Sequence, residues 1–169
     1  MNGKLLIFIP TLAAIIIGIV VVSTSLFASV GNAVVDVGDS AFYSDKIKIN
    51  DKIIELQIAD EPLERNLGLM SQEKLPYNKG MLFIYEESGN YSFWMYKMQF
   101  ALDIIWFDEK GTVVHIEQDV PPCKTEPEYC KLYDPQQDAL YVFEATAGFV
   151  DMFGIDKDSR FFWVVEKNS

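Results

Sequence analysis

The alternation of apolar and polar side chains along the chain indicates short β-strands separated by polar turns. Two alternating segments, 46–50 and 52–59, flank the turn residues Asn50 and Asp51 and predict a β-hairpin. Further strands are predicted at 81–85, 91–96, 102–108, 112–118, 139–144 and 160–166. Many short strands joined by close turns favour a mostly β domain, either an antiparallel sandwich or a small barrel.

Helical periodicity is confined to two short stretches. In the first, Asp60 is suited to cap a helix, Pro62 suits its first turn, and three apolar residues share one face at i, i+4 and i+7. These three are Leu63, Leu67 and Met70. Gly68 weakens the helix, so we expect it to be short. The second stretch lies within residues 145–153.

The N-terminal segment is apolar without any such alternation. Residues 5–22 carry no charge and are about as long as a helix that crosses a bilayer, roughly 20 residues. Lys4 precedes this run and the first charge after it is Asp36, so we expect the N-terminus in the cytoplasm. We predict a signal anchor or transmembrane helix at 1–29, a linker at 30–44 and an extracytoplasmic β domain at 45–169.

The alternative for this segment is a signal peptide that is cleaved, which would give a secreted protein. Gly31-Asn32-Ala33 is a small-x-small triplet of the kind that precedes a cleavage site. However, the apolar run exceeds the roughly 7–15 residues typical of signal peptides, and the triplet lies well beyond it. These features favour a single-pass protein of the cell membrane with its C-terminal domain outside.

The part of the chain predicted to be exported is strongly acidic. All 25 Asp and Glu residues follow residue 35, against 13 of the 14 Lys and Arg residues, Lys4 being the exception. Nucleic-acid binding needs clustered basic side chains, so we predict no nucleic-acid partner. The simplest consequence of the acidity is solubility of the domain. The alternative is a role in binding a cationic ligand or a metal ion.

Cys123 and Cys130 are the two cysteines of the chain, and they lie in a segment rich in proline and charge. Their spacing does not match a zinc-binding motif, and no second pair of ligands follows. Outside the cytoplasm such a pair usually oxidises. We therefore predict a disulfide that closes a short loop.

Motifs for catalysis or metal binding are sparse. The sequence contains no nucleophile-elbow pattern, phosphate-binding glycine loop or HExxH motif. The single histidine, His115, cannot supply a zinc site without carboxylate ligands. Methionines bind Cu(I), but they are also common core residues, and four lie near the apolar strands. These are Met70, Met81, Met95 and Met98. We predict no catalytic residue, no metal site and no cofactor.

Two carboxylates interrupt strands that are otherwise apolar, Asp103 in ALDIIWF and Glu144 in LYVFEA. A buried carboxylate must be hydrogen-bonded, paired or neutralised. Arg65 is the natural partner, and the structural hypothesis is an ion pair that ties the first helix to the sheet. The functional hypothesis is a cleft in which one or both carboxylates meet a ligand. Trp94 belongs to an aromatic cluster that either fills the core or lines a groove.

The segments IADEPLERNLGLM, GMLFIY, FWMYKMQFALDIIWFDEKGTVVHI, PPC, ALYVFEATAG and GIDKDSRF occur in this order between about Ile53 and Phe162. Together they resemble domain-of-unknown-function family 192, also called an uncharacterised conserved membrane protein family. The resemblance implies a compact, mostly β domain of sandwich or jelly-roll character, often behind a signal or anchor segment. It implies no activity.

The resemblance also identifies positions that match the motifs of the family. These are Arg65, Gly68, Leu69, Met70, Gly80 to Phe83, Trp94, Met95, Asp103 and Glu144. The chain departs from the family pattern just after FWM, where relatives tend to have an Asn-Thr pair and then a proline. Lys97, Met98 and Ala101 occupy those places here, so we expect any specificity peculiar to this chain to arise there.

We therefore predict a compact antiparallel sandwich or jelly-roll-like domain with one or two short helices, behind an N-terminal transmembrane helix. The first functional hypothesis is a ligand-binding or accessory module that recognises a small molecule, a glycan or an envelope protein. Its candidate ligand-binding residues are Arg65, Trp94, Asp103 and Glu144. One alternative is an envelope hydrolase or transferase that uses Asp103 and Glu144. Another is a structural subunit of a membrane complex.

Overall fold

The computed structural model describes residues 42, 44–70 and 72–165. The predicted anchor at 1–29 and most of the predicted linker lie outside the described residues. Among the helices in the described ranges, none is both long enough and apolar enough to span a bilayer.

The described residues form seven strands, which make one sheet, and two short α-helices. The strands are β1 (Ser44–Ile49), β2 (Lys52–Ala59), β3 (Lys79–Gly89), β4 (Leu102–Phe107), β5 (Val113–Val120), β6 (Ala139–Thr146) and β7 (Phe161–Trp163). Their order in the sheet is β5-β4-β6-β3-β2-β1-β7. The helices are α1 (Pro62–Leu67) and α2 (Phe149–Phe153), and a 3-10 turn covers Pro127–Tyr129. The predictions of a mostly β domain and of one or two short helices are confirmed.

The predicted hairpin is formed by β1 and β2, with Ile49 opposite Lys52. Asn50 and Asp51 between them have φ angles of 44° and 64°. A two-residue turn with this backbone matches the twist of the strands, and Asn and Asp adopt it more readily than most residues. Asn50 Nδ2 also donates to the Gly154 carbonyl at 2.8 Å. The hairpin tip is therefore fixed to the end of α2.

β2 and β3 are parallel neighbours, with Leu56 opposite Gly80. Parallel neighbours need a crossover connection, and α1 with the loop 68–78 supplies it here. The prediction of a wholly antiparallel sheet is wrong at this pair. Crossover connections between parallel strands usually contain a longer helix than the six residues of α1. The short helix predicted from the sequence therefore did not indicate a parallel pair.

The sheet curls until its two edge strands meet. β5 and β7 lie at opposite ends of the strand order, yet Val113 N–H donates to the Ser159 carbonyl at 3.1 Å and Phe161 N–H donates to the Gly111 carbonyl at 2.9 Å. A Cβ at Gly111 would lie 2.9 Å from the Phe161 carbonyl oxygen, so this approach requires glycine. The result is one curled sheet, rather than the two packed sheets of a sandwich.

Each face of the curled sheet carries its own hydrophobic cluster. The inner cluster takes residues from all seven strands and is closed by Phe149 and Val150 of α2. The outer cluster takes residues from β2 to β6 and lies under the connecting segments. β4 contributes alternate residues to the two clusters, and all six of its residues are buried. The apolar sequence of this strand, interrupted only by Asp103, follows from burial on both faces.

The segment 90–101 between β3 and β4 is not the strand predicted at 91–96. It makes only isolated bridges, Phe93 with Tyr133 and Tyr96 with Cys123. The predicted disulfide is confirmed, since Cys123 and Cys130 are bonded with their Cα atoms 5.7 Å apart. Cys123 N–H donates to the Met95 carbonyl at 2.9 Å. The disulfide loop thus supports the 90–101 segment where a neighbouring strand would otherwise do so.

Candidate functional site

Asp103 has no exposed surface, and backbone amides hold its carboxylate. Oδ1 accepts the Asp119 N–H at 2.9 Å, and Oδ2 accepts the Val150 N–H at 2.8 Å. Two amide donors satisfy a buried carboxylate without any cation. The predicted ion pair between Asp103 and Arg65 is therefore wrong. Asp103 instead joins β4 to β5 and to the first turn of α2.

Arg65 does tie α1 to the sheet, but through carbonyl groups and a ring. Its Nη1 donates to the Asp60 carbonyl and, at 2.9 Å, to the Ile84 carbonyl. The guanidinium carbon lies 5.1 Å from the centroid of the Tyr85 ring. This is a cation–π contact, which arginine makes more often than lysine. Arg65 therefore joins α1 to β3 through partners other than the predicted Asp103.

Asp103 and Glu144 lie on neighbouring strands but face opposite sides of the sheet. In the register of β4 and β6, Asp103 is opposite Ala145 and Ile104 is opposite Glu144. Cross-strand partners share a face. Ala145 belongs to the inner cluster and Ile104 to the outer one. The sheet therefore separates the two carboxylates. This arrangement contradicts the hypothesis of a hydrolase or transferase that uses both on one substrate.

Glu144 lines a pocket on the outer face of the sheet. The pocket lies between the α1 region, residues 65–70, and the 90–101 segment, and its cavity volume is about 40 Å³. That exceeds the roughly 10–15 Å³ that one water molecule needs and is far below the roughly 300–1,000 Å³ of sites for drug-sized ligands, so the pocket admits only a small chemical group. The remaining wall comes from β3 and the 90–101 segment through Phe83, Phe93, Trp94, Tyr96 and Met98.

Three of the four predicted ligand-binding residues meet in this pocket, namely Arg65, Trp94 and Glu144. Asp103 does not, because it faces the inner cluster. Two further aromatic residues of the pocket, Phe93 and Tyr96, were not predicted as site residues. Both lie within two residues of Trp94 in the sequence. This proximity is the signal that could have identified them.

The carboxyl group of Glu144 is nearly enclosed, with the residue only 4% exposed. No group within the described ranges hydrogen-bonds to it, and burial is the cause that raises its pKa to about 8. Among the described residues, every side-chain oxygen or nitrogen that is fully enclosed has a hydrogen-bond partner. The Glu144 oxygens have none among these residues, so they are not fully enclosed and remain in contact with the pocket. At neutral pH the group is mostly a neutral acid, since a buried charge without a partner is costly.

Phe93, Trp94 and Tyr96 form the aromatic side of the pocket, which we call the ring wall. Trp94 is 40% exposed, and its ring centroid lies 5.3 Å from that of Tyr96. Lys97 Nζ lies 5.2 Å from the Tyr96 ring centroid. Phe93 and Tyr133 exchange two backbone hydrogen bonds of 2.8 Å, so the ring wall is supported from behind.

The methionines divide between the pocket and the core. Met70 and Met98 line the pocket, whereas Met81 and Met95 are almost wholly buried in the outer cluster. His115 lies away from the pocket, with its Nε2 3.2 Å from the Glu117 carboxylate. In the described part of the chain, no group of three or more His, Cys, Asp or Glu residues is arranged to hold a metal ion.

The fold and the pocket define a small curled-sheet domain with a buried acid at a semi-enclosed aromatic site. The chain belongs to domain-of-unknown-function family 192, described as an uncharacterised ACR, whose model matches residues 45–163. The family resemblance predicted from the sequence is confirmed. No curated protein matches the chain.

Two solved structures share the fold. One is a proposed transcription regulator from Sinorhizobium meliloti 1021, with a TM-score of 0.66, 23% identity, and coverage of 72% of this chain and 95% of that one. The other is a protein of unknown function from Novosphingobium aromaticivorans DSM 12444, with a TM-score of 0.66, 22% identity, and coverage of 73% and 88%. At this level of identity the likeness establishes the fold alone.

Proposed function

We propose that this chain is a ligand-binding module, held at the outer face of the cell membrane by its N-terminal segment, that binds a small molecule in the Glu144 pocket. The observation that carries the proposal is the Glu144 carboxyl group, which is nearly enclosed and has no partner within the described ranges. Such a group lowers stability when ionised. A ligand that pairs with it would offset this cost.

Binding is favoured over catalysis because the two carboxylates suited to acid–base chemistry face opposite sides of the sheet. The membrane location is supported by the uncharged run at residues 5–22 and by the position of Lys4 before it. The ring wall would supply apolar contact area to a ligand, and Trp94 is exposed enough to close over one.

A thermal-shift screen of the full-length chain tests the proposal. The chain is held in lipid nanodiscs, since detergent would compete for an apolar pocket, and is screened against amines, carboxylic acids and glycan fragments. We expect at least one class to raise Tm in a concentration-dependent manner. Trp94→Ala should weaken that response, whereas Phe162→Ala should not, because Phe162 is a similarly exposed aromatic residue outside the pocket. A response equal in both variants would refute binding in the pocket.

The alternative partner is an envelope protein rather than a small molecule. In that case no small molecule would shift Tm, while Trp94→Ala would disrupt a complex captured by crosslinking at the membrane. The screen and the crosslinking experiment therefore give opposite results for the two hypotheses.

A further inference from the structure

The ligand chemistry of the pocket follows from what Glu144 lacks, and this inference rests on the proposed function. Arg65 lines the same pocket, but its Nη1 donates to two carbonyl oxygens and its guanidinium lies over the Tyr85 ring. Within the described ranges, no hydrogen bond or salt bridge joins Arg65 to Glu144, and burial is the cause that raises the pKa of Glu144. The pocket therefore contains an acid whose natural counter-ion the described chain does not provide.

The ring wall favours the same type of ligand. The face of an aromatic ring attracts a cation, most strongly for tryptophan, and quaternary ammonium groups are bound by aromatic side chains in this way. Tyr96 makes a cation–π contact of this kind within the chain, because Lys97 Nζ lies 5.2 Å from the centroid of the Tyr96 ring. A carboxylate at one side of a cavity and aromatic faces at another suit one compact positive charge.

We propose that the pocket binds the ammonium group of a small organic cation between Glu144 and the ring wall. On binding, the Glu144 carboxyl group loses its proton to solvent and the resulting carboxylate pairs with the ligand cation. No covalent bond to the ligand forms or breaks. The acidic charge of the chain, 25 Asp and Glu residues against 14 Lys and Arg residues, attracts cations to the domain.

The other charged or titratable groups near Glu144 come from three elements. Tyr85 of β3 has a pKa raised to about 12, mainly by burial, so it does not ionise near neutral pH. The α1 region contributes the guanidinium group of Arg65. Tyr96 belongs to the ring wall. The residue opposite Glu144 on β4 is Ile104, which does not titrate. Proton release between pH 7 and 9 is therefore assigned to Glu144.

Saturation-transfer NMR with choline as the probe tests this inference on the full-length chain in nanodiscs of zwitterionic lipid, with empty nanodiscs as the blank. With a pKa of about 8, about one tenth of Glu144 is ionised at pH 7 and about nine tenths at pH 9, so the apparent Kd should tighten about tenfold. Glu144→Gln should bind choline at least about tenfold more weakly at pH 9, without this pH dependence. Glu109→Gln makes the same change in an exposed turn outside the pocket and should behave like the wild type.

The neutral carbon isostere of choline and propionate distinguish the outcomes. If the neutral isostere or propionate binds as well as choline and Trp94→Ala weakens it, the pocket binds ligands but the ammonium inference is overturned. Choline binding that Glu144→Gln leaves unchanged would also overturn it. If no probe binds and the thermal-shift screen is silent, the proposed function itself fails. Melting curves establish that each variant is folded before these comparisons are made.

Discussion

The Asp103 carboxylate accepts the Val150 N–H at 2.8 Å, across 47 positions of sequence. Its other oxygen accepts the Asp119 N–H, so one side chain joins β4, β5 and α2. Asp103→Ala would leave the buried Val150 amide and the partly buried Asp119 amide without their acceptor, and we expect a loss of about 2–4 kcal/mol in the free energy of unfolding. Urea denaturation measures this loss.

Asp103→Asn sharpens the test, because the amide retains one acceptor oxygen but turns an NH2 group toward an N–H donor. We expect it to lose stability as well, instead of rescuing the fold. Asp138→Asn is the matched control on an exposed residue and should change stability by less than about 0.5 kcal/mol. A loss below about 1 kcal/mol in Asp103→Ala would show that this side chain does not hold the three elements together.

The disulfide between Cys123 and Cys130 should stabilise more than its own loop. Closing a loop with a sequence separation of 7 is worth about 2–3 kcal/mol by chain entropy. Because Cys123 N–H also donates to the Met95 carbonyl, opening the loop should loosen the 90–101 segment. We expect the double Ser variant to unfold at lower urea and to show greater amide hydrogen exchange in residues 93–98. The reduced wild type is the control and should match the variant.

Gly80 is required by packing rather than by backbone freedom. A Cβ at Gly80 would lie 2.0 Å from the Phe143 ring, whereas one at Gly154 would meet nothing within 4 Å. Gly80→Ala must displace a buried ring of the inner cluster, so we expect a loss of about 2–4 kcal/mol. Gly154→Ala strains only a positive φ and should cost about 1 kcal/mol. Urea denaturation of the two variants side by side checks this ranking, and equal losses would contradict it.

The elements that the sequence predicted well are those whose signal is local. The turn residues Asn50 and Asp51 fall between two alternating segments, and the hairpin follows from that pattern alone. Arg65, Trp94 and Glu144 are predicted from the sequence as a cation, an aromatic residue and a buried acid, and they converge on one pocket. Their chemistry marked them even though their spatial arrangement was unknown.

The predictions from the sequence are wrong where the contact that determines the structure is made by a backbone group or by a residue distant in the sequence. Asp103 is satisfied by the amides of Asp119 and Val150, and every residue except proline carries such a donor, so no sequence pattern marks them. The segment 91–96 alternates like a strand, but its bridge partners, Tyr133 and Cys123, belong to loops. Tertiary contacts therefore override the local pattern there.

Glu144 should make the stability of this domain fall as pH rises. Its pKa is about 8 in the folded chain against an ordinary value of 4.5, so between these values the folded state keeps a proton that the unfolded state has lost. The free energy of unfolding therefore decreases with pH, by up to about 1.4 kcal/mol per pH unit from this group. Glu144→Gln removes the titration.

We therefore expect Glu144→Gln to match the wild type near pH 4.5 and to exceed it increasingly up to pH 8, by on the order of 3–5 kcal/mol. Urea denaturation at a series of pH values measures the difference, and Glu109→Gln should run parallel to the wild type. A difference that is constant or shrinks with pH would mean that Glu144 has a partner when folded. If the ligand is an ammonium ion, choline at pH 8.5 should narrow the gap, because it stabilises the ionised wild type and not the variant.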